Sequence, residues 1–210
     1  MVRRRLPTSL GRVSEADSPK FGRKEEILRV AAGVIAEKGF YSATVRDIAE
    51  AAGILSGSLY HHFKSKDEIL IEILRTMVER TQSSYRDVAA RKDPPQESVR
   101  ALVMLGFDVL DKWQTELTIL QNDFALLERF DEFKFLVEAQ DEIADIWMRE
   151  IDRGKAARVF NADTDTRLAY RAIMGSILSA SRWYRKSQGF TAAEVGRQHA
   201  DLFLSGLTRP

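Results

Sequence analysis

The sequence predicts an all-α fold in two parts, a compact N-terminal unit of three helices in a helix-turn-helix arrangement and a larger C-terminal helical body. Three observations predict it. Apolar residues recur at helical spacing from Arg23 onward. Capping residues and glycines mark helix starts and stops at regular intervals. No segment shows the period-two alternation of a half-buried strand.

Residues 1–22 hold two prolines, two glycines and several hydroxyl residues without apolar periodicity, which predicts a mobile tail. Ile27, Val30, Ala31, Val34 and Ile35 then form one helical stripe, and Gly39 stops that helix. Thr44 with Asp47 reads as an acidic capping box. Val45, Ile48, Ala49 and Ala52 supply the buried face of the second helix, which ends at Gly53. Ser56 is expected to cap a third helix reaching about Phe63, with Leu55 and Leu59 turned inward. Ser65 with Glu68 opens a long helix through Ile69, Ile73 and Met77 toward Val88. Residues 91–95 (RKDPP) read as a linker. Beyond them, helices are expected near 96–113, 116–129, 132–153, 165–185 and 191–206, with a break at Gly154 and a capping box at Thr191 and Glu194. The expected division is a tail at 1–22, a helix-turn-helix domain at 23–70 and a helical body at 71–210.

Composition narrows the function classes. The 210 residues are 44% hydrophobic, enough for a packed core. There is no cysteine, so disulfides, zinc–thiolate sites and cysteine nucleophiles are excluded and a reducing cytoplasm is expected. No apolar run approaches the ~20 residues of a membrane span, and no apolar signal core follows the basic N-terminus. The net charge of +1 hides an asymmetry: residues 1–66 carry 12 of the 32 Lys/Arg but 7 of the 31 Asp/Glu. A basic end on a mildly acidic body suits a protein that presents one end to phosphates. Of the three histidines, two are the neighbours His61 and His62, which point about 100° apart on a helix and cannot share a metal ion. With no glycine-rich phosphate loop, nucleophile elbow or HExxH, neither an enzyme nor a cofactor is expected.

The segment TVRDIAEAAGILSGSLYHHFKSK (44–66) carries the chemistry. Two short helices joined by a glycine turn, the second opening with small residues, match a helix-turn-helix whose second helix enters the DNA major groove. Thr44 lies at a helix N-terminus suited to a phosphate, and Arg46 can reach a phosphate or a base edge. Ser56, Gly57 and Ser58 permit close approach to the groove floor. Tyr60 and His61 follow one turn later as phosphate or thymine-methyl contacts. Lys66 combines its charge with another helix N-terminus. Each residue also has an ordinary reading: Tyr60 as a core-edge aromatic, His62 as a packing residue, Lys66 as a solvated charge. The DNA reading rests on their joint order.

The segment from about Arg23 to Met77 resembles the N-terminal domain of tetracycline-repressor-type (TetR) transcription factors, through ILRVAAGVIAEKGF, SATVRDIAEAAGI and SGSLYHHFKSKDEIL. The resemblance implies an all-α homodimeric regulator whose C-terminal domain holds an effector pocket and the dimer interface. It implies DNA contacts at Arg46, Ser56, Gly57, Ser58, Tyr60, His61 and Lys66, with Thr44 as helix cap. GILSGSLYHHF and the later SRWYR are similar to actinobacterial regulators of sterol and fatty-acid breakdown, which respond to acyl-CoA thioesters.

In the body, Met104, Phe107, Trp113, Phe124, Trp147, Met174 and Trp183 are the candidate lining of a pocket for an apolar effector, or alternatively core. Gly106 and Gly175 either open space between helices or allow close packing. The last two helices, near 165–185 and 191–206, offer Ile173, Ile177, Ala180, Ala192, Val195, His199, Leu202 and Phe203 to a homodimer interface. Arg3, Arg4 and Arg5 read as a minor-groove arm or as a solvated tail. The expectation is therefore a repressor of palindromic operator DNA, released by a small apolar or acyl-CoA-type effector, rather than a helical adaptor or membrane-surface protein.

Overall fold

The structure, a computed structural model, describes residues 22–184 and 189–208. Nearly all of the expected tail, with Arg3, Arg4 and Arg5, lies outside the described residues. Within them the chain forms α1 (Arg23–Lys38), α2 (Val45–Ala51), α3 (Ser56–Leu59), α4 (Lys66–Ala90), α5 (Pro95–Lys112), α6 (Gln114–Leu127), α7 (Lys134–Ala156), α8 (Thr166–Ala180) and α9 (Ala192–Leu207). A 3-10 turn at Asp131–Phe133 leads into α7. Extended pairing among the described residues is confined to one antiparallel bridge, Phe160 to Thr208.

Local chemistry sets most of the boundaries. Gly39 and Gly53 leave their helices at φ +79° and +64°, the left-handed region that a side chain disfavours. Thr44 and Thr191 each close a reciprocal capping box, with Asp47 and Glu194. The Ser65 hydroxyl accepts the Glu68 N–H at 3.1 Å. Pro95 occupies the first turn of α5, where its missing N–H costs nothing.

Three boundaries differ from expectation. Ser56 is the first residue of α3 rather than its cap; Leu55 holds the cap position, and the helix proper ends at Leu59. The next residues continue as turns, with His62 N–H to the Leu59 carbonyl at 3.0 Å. Gly154 does not end α7, which runs on to Ala156. Its role is steric: a Cβ there would stand 2.0 Å from Cδ2 of Phe160, so the glycine seats that buried ring. α8 stops at Ala180, before Trp183 and Tyr184.

The core falls into two clusters strung along α4. The first packs Ile27, Ala31 and Ile35 of α1, Ile48 of α2, Leu59 and Phe63 around α3, and Ile69, Leu70 and Leu74 of α4. It also takes in Ile119 and Leu127 of α6 and Leu136 of α7, so packing does not break at residue 70. The second joins Tyr85 and Val88 of α4 to Leu102 and Phe107 of α5, Trp147 and Ile151 of α7, Ile173 and Ile177 of α8, and Ala200 of α9. Each buried Leu, Ile or Phe in these clusters contributes about 1.5–3 kcal/mol. Ile173, Ile177, Ala180 and Val195, expected at a dimer interface, are buried inside their own chain. The outward faces of α8 and α9 carry Leu168, Leu178 and Leu202 instead.

Candidate nucleic-acid interface and effector cavity

The head is held rigid before it is offered to a ligand. Thr44 is committed to α2: its hydroxyl accepts the Asp47 N–H at 3.1 Å and donates to Asp47 Oδ2 at 2.6 Å. Lys38 Nζ reaches Asp47 Oδ1 at 2.6 Å. That bond, and then those from Thr44, hold the Asp47 carboxyl well below the usual carboxylate range. Thr44 therefore orients the helix, and its hydroxyl hydrogen is not free for a phosphate.

Lys66 departs further from expectation. Its ammonium donates to the carbonyl oxygens of Phe40 and Ala43, the latter at 2.7 Å, and lies 4.4 Å from the centre of the Phe40 ring. The charge is spent on the turn between α1 and α2, whose carbonyls have no helix to bond. The lysine is a brace for the head rather than a solvated side chain free to reach DNA.

The other expected contacts form an open face. Arg46, Gly57, Tyr60 and His61 are exposed, and Ser56 and Ser58 partly so. Tyr60 keeps 57% of its surface in solvent, whereas Leu59 and Phe63, on the opposite side of the same turn, keep 1% and 2%. Nothing lies within 4 Å of the point where Gly57 would carry a Cβ. Among the described residues, Arg46, the serine hydroxyls, the Tyr60 hydroxyl and the His61 ring have no intramolecular bond, in contrast to Thr44 and Lys66. Polar groups left unbonded on a rigid outward face are available to an external acceptor or donor.

Leu55 reverses its expected orientation. It is 79% exposed, while Ile54 packs against the first core. The backbone at Leu55 is extended (φ −73°, ψ 143°), and neighbours in an extended segment point to opposite sides. Tyr41, in the turn after α1, is also exposed. The sequence pattern turned Leu55 inward and left Tyr41 unmarked, because local spacing does not tell which of two adjacent apolar residues faces the core.

Below the head, five helices enclose a cavity of about 310 Å³. Met77, Val78, Thr81 and Tyr85 of α4 form one wall, Gly106, Val109 and Leu110 of α5 another. Leu117, Leu120, Gln121 and Phe124 come from α6, Leu136, Ala139, Gln140 and Ile143 from α7, and Tyr170, Met174, Ile177 and Leu178 from α8. No Lys, Arg, Asp or Glu lines it. The buried Thr81 hydroxyl has no hydrogen-bond partner, and burial pushes the Tyr85 and Tyr170 hydroxyls above the ordinary tyrosine range. Gln121 Nε2 donates to Ser181 Oγ at 2.6 Å and ties α6 to the end of α8 beside the cavity.

Only Phe124 and Met174 of the expected lining residues reach this space. Met104 and Phe107 turn toward Gly196 on α9, because α5 presents Gly106, Val109 and Leu110 to the cavity and the other side of its helical repeat to α9. Trp113 packs against the first core, Trp147 is fully buried in the second, and Trp183 is 46% exposed beyond α8. Aromatic size alone did not reveal which helix face meets the gap.

The head and the cavity share α6. Its cavity face carries Leu117, Leu120, Gln121 and Phe124, while Asp123 Oδ2 accepts the backbone N–H of Phe40 at 3.1 Å. The Phe40 backbone is thus held at its N–H by Asp123 of the body and at its carbonyl by Lys66 at the root of α4.

Residues 27–73 match the family model for bacterial regulatory proteins of the tetR family, and residues 92–207 match the tetracyclin-repressor-like C-terminal domain. The chain belongs to the TetR family. Its two matched regions are joined by the rest of α4, so this one helix runs between the two characteristic TetR units. The chain is similar to the HTH-type transcriptional repressor KstR2 of Rhodococcus jostii, at 37% identity over 92% of this chain and 95% of the relative. It superposes on the structure of the ketosteroid transcriptional regulator KstR2 of Mycobacterium tuberculosis with a TM-score of 0.87 at 34% identity, covering 90% of this chain and 96% of that one. The TetR regulator PfmR of Thermus thermophilus aligns with a TM-score of 0.77 at 28% identity, over 89% and 98% of the two chains. As a TetR-family member, the chain is a ligand-responsive helix-turn-helix transcription regulator. Among the described residues, no helix is long and apolar enough to cross a membrane.

Proposed function

We propose that this regulator binds a palindromic operator as a homodimer and is released by an effector whose neutral, largely apolar body fills the cavity between α4 and α8. One observation carries the reading: α6 lines the cavity and is hydrogen-bonded to the DNA-reading head through Asp123 and Phe40. The open face of Arg46, Ser56, Gly57, Ser58, Tyr60 and His61 supplies the operator contacts. The N-terminus of α4 at Lys66 offers backbone N–H groups to a phosphate while the side chain braces the head.

One recognition helix reads too few bases, so two are placed one DNA turn apart, about 34–36 Å. Leu168 and Leu178 on α8 and Leu202 on α9, exposed in the single chain, support a dimer through these two helices. An effector entering the cavity pushes on α4 and α6 together and alters the spacing of the two heads. For a near-complete switch it must prefer the released state by ~5.5 kcal/mol.

The uncharged lining favours a neutral body inside the cavity, with any charged group left outside. The KstR2 relatives, one described as a ketosteroid regulator, support a steroid-derived ring system, and a CoA thioester is the fitting charged appendage. Anisotropy titration of a near-palindromic duplex from upstream of the protein's own reading frame tests this. Steroid-derived CoA thioesters should weaken binding, and long-chain acyl-CoA should do so less. Tighter binding with the thioester contradicts the release mechanism.

A further inference from the structure

Leu55 is the most exposed large apolar side chain among the described residues, at 79%. It holds the N-cap position of α3, and that helix start has no side-chain cap. Ser, Thr, Asp or Asn at this position would stabilise the helix by bonding its free N–H groups. The leucine does not do this, and its side chain is mostly out of the core as well. Neither helix stability nor burial accounts for it.

Its surroundings are polar. Leu55 precedes Ser56, Gly57 and Ser58 on the outward face that also carries Arg46 and His61. A protein-binding surface would need a contiguous apolar patch, whereas here Leu55 and the Tyr60 ring are the exposed apolar groups among unbonded hydroxyls and the exposed Arg46 cation. That mixture matches the DNA major groove, where hydrogen-bonding base edges alternate with one apolar feature, the thymine 5-methyl group.

We propose that Leu55 is a specificity-determining residue that contacts a thymine methyl group in each half-site. The inference rests on the operator-binding reading above and deepens it. The leucine adds preference for thymine over cytosine or uracil at one position, while the neighbouring serines and Arg46 serve hydrogen-bond acceptors.

The test uses the full chain and a duplex selected by it from a random pool. Each thymine is replaced in turn by uracil, which removes only the methyl group. For the unaltered protein, the change at one thymine per half-site should weaken binding about four-fold, the worth of one methyl-sized group removed from water. Leu55→Ala should bind uracil and thymine equally at that position and leave the response to every other thymine unchanged. Its melting temperature should match that of the parent, since the side chain is not part of the core; Leu55→Ser should melt no lower. If Leu55→Ala keeps the full thymine-to-uracil ratio at every position, the contact does not exist, although DNA binding stands. If no duplex is enriched from the pool, the operator-binding reading fails and this contact with it.

Discussion

The Asp123 carboxylate accepts the backbone N–H of Phe40 at 3.1 Å, across 83 residues of sequence, and joins a helix of the cavity wall to the turn that carries the DNA-reading helices. The carbonyl of the same residue accepts from the Lys66 ammonium. The two peptide groups that flank the Phe40 Cα are therefore held from the body on one side and from α4 on the other. In the proposed release mechanism, this joint is the route by which a shift of either helix reaches the head.

Replacing Asp123 with alanine should free the Phe40 amide. Its hydrogen exchange should accelerate by about ten-fold or more, while stability falls by only about 1.5 kcal/mol, the low end for a bond to a charged acceptor. Unchanged exchange at Phe40 would show that the joint does not hold in solution.

Lys66→Met separates a brace from a phosphate contact. The brace predicts a loss of about 1.5–3 kcal/mol in urea unfolding, because two carbonyls lose a charged donor. It also predicts an unaltered salt slope of DNA binding. A stability-neutral variant whose slope falls by about one would instead make the ammonium a phosphate contact.

The parts of the fold that were legible in the sequence are those set by chemistry within a few residues. The boxes at Thr44–Asp47 and Thr191–Glu194 and the cap at Ser65 appear as read, because cap and acceptor are three residues apart. The outward side of Tyr60 and His61 was legible because helical spacing turned Leu59 to the core, although the same reading wrongly turned Leu55 inward with it. What was not legible depends on partners far along the chain. Lys66 looks like a surface lysine until Phe40 and Ala43 stand beside it. The cavity face of α5 is fixed by α8 and α9, so Gly106 lines the gap while the larger Phe107 does not. Gly154 read as a stop because its reason, Phe160, returns only after the chain has turned.

Gly154→Ala therefore has two opposing terms. Alanine raises helix propensity by about 1 kcal/mol, but the new methyl meets a buried ring that has nowhere to go, at a cost of about 1–3 kcal/mol. The steric term should win and lower the urea midpoint. Gly175→Ala on α8, with nothing within 4 Å of the added carbon, should not lower it. Equal midpoints for the two variants would contradict the packing of Phe160.

The Asp47 carboxyl is depressed by its bond to Lys38 and then by those to Thr44. A depressed native pKa contributes stability above the unfolded value of about 4, and that contribution is lost as pH falls toward the native one. The melting-temperature gap between the parent and Asp47→Asn should be full at pH 7 and shrink progressively below about pH 4. A gap that stays constant through this range would show that the carboxylate is not engaged.

The most direct measurement of the central claim is selection of duplexes by the full chain from a random pool at low ionic strength. The outward face of α3, presented twice by a dimer, predicts a two-fold symmetric motif with half-sites one helical turn apart, and Arg46→Ala should weaken it by about 1–3 kcal/mol relative to random duplex. A pool that emerges without sequence preference, or a motif without symmetry that ignores Arg46, would contradict the assignment of this face to an operator.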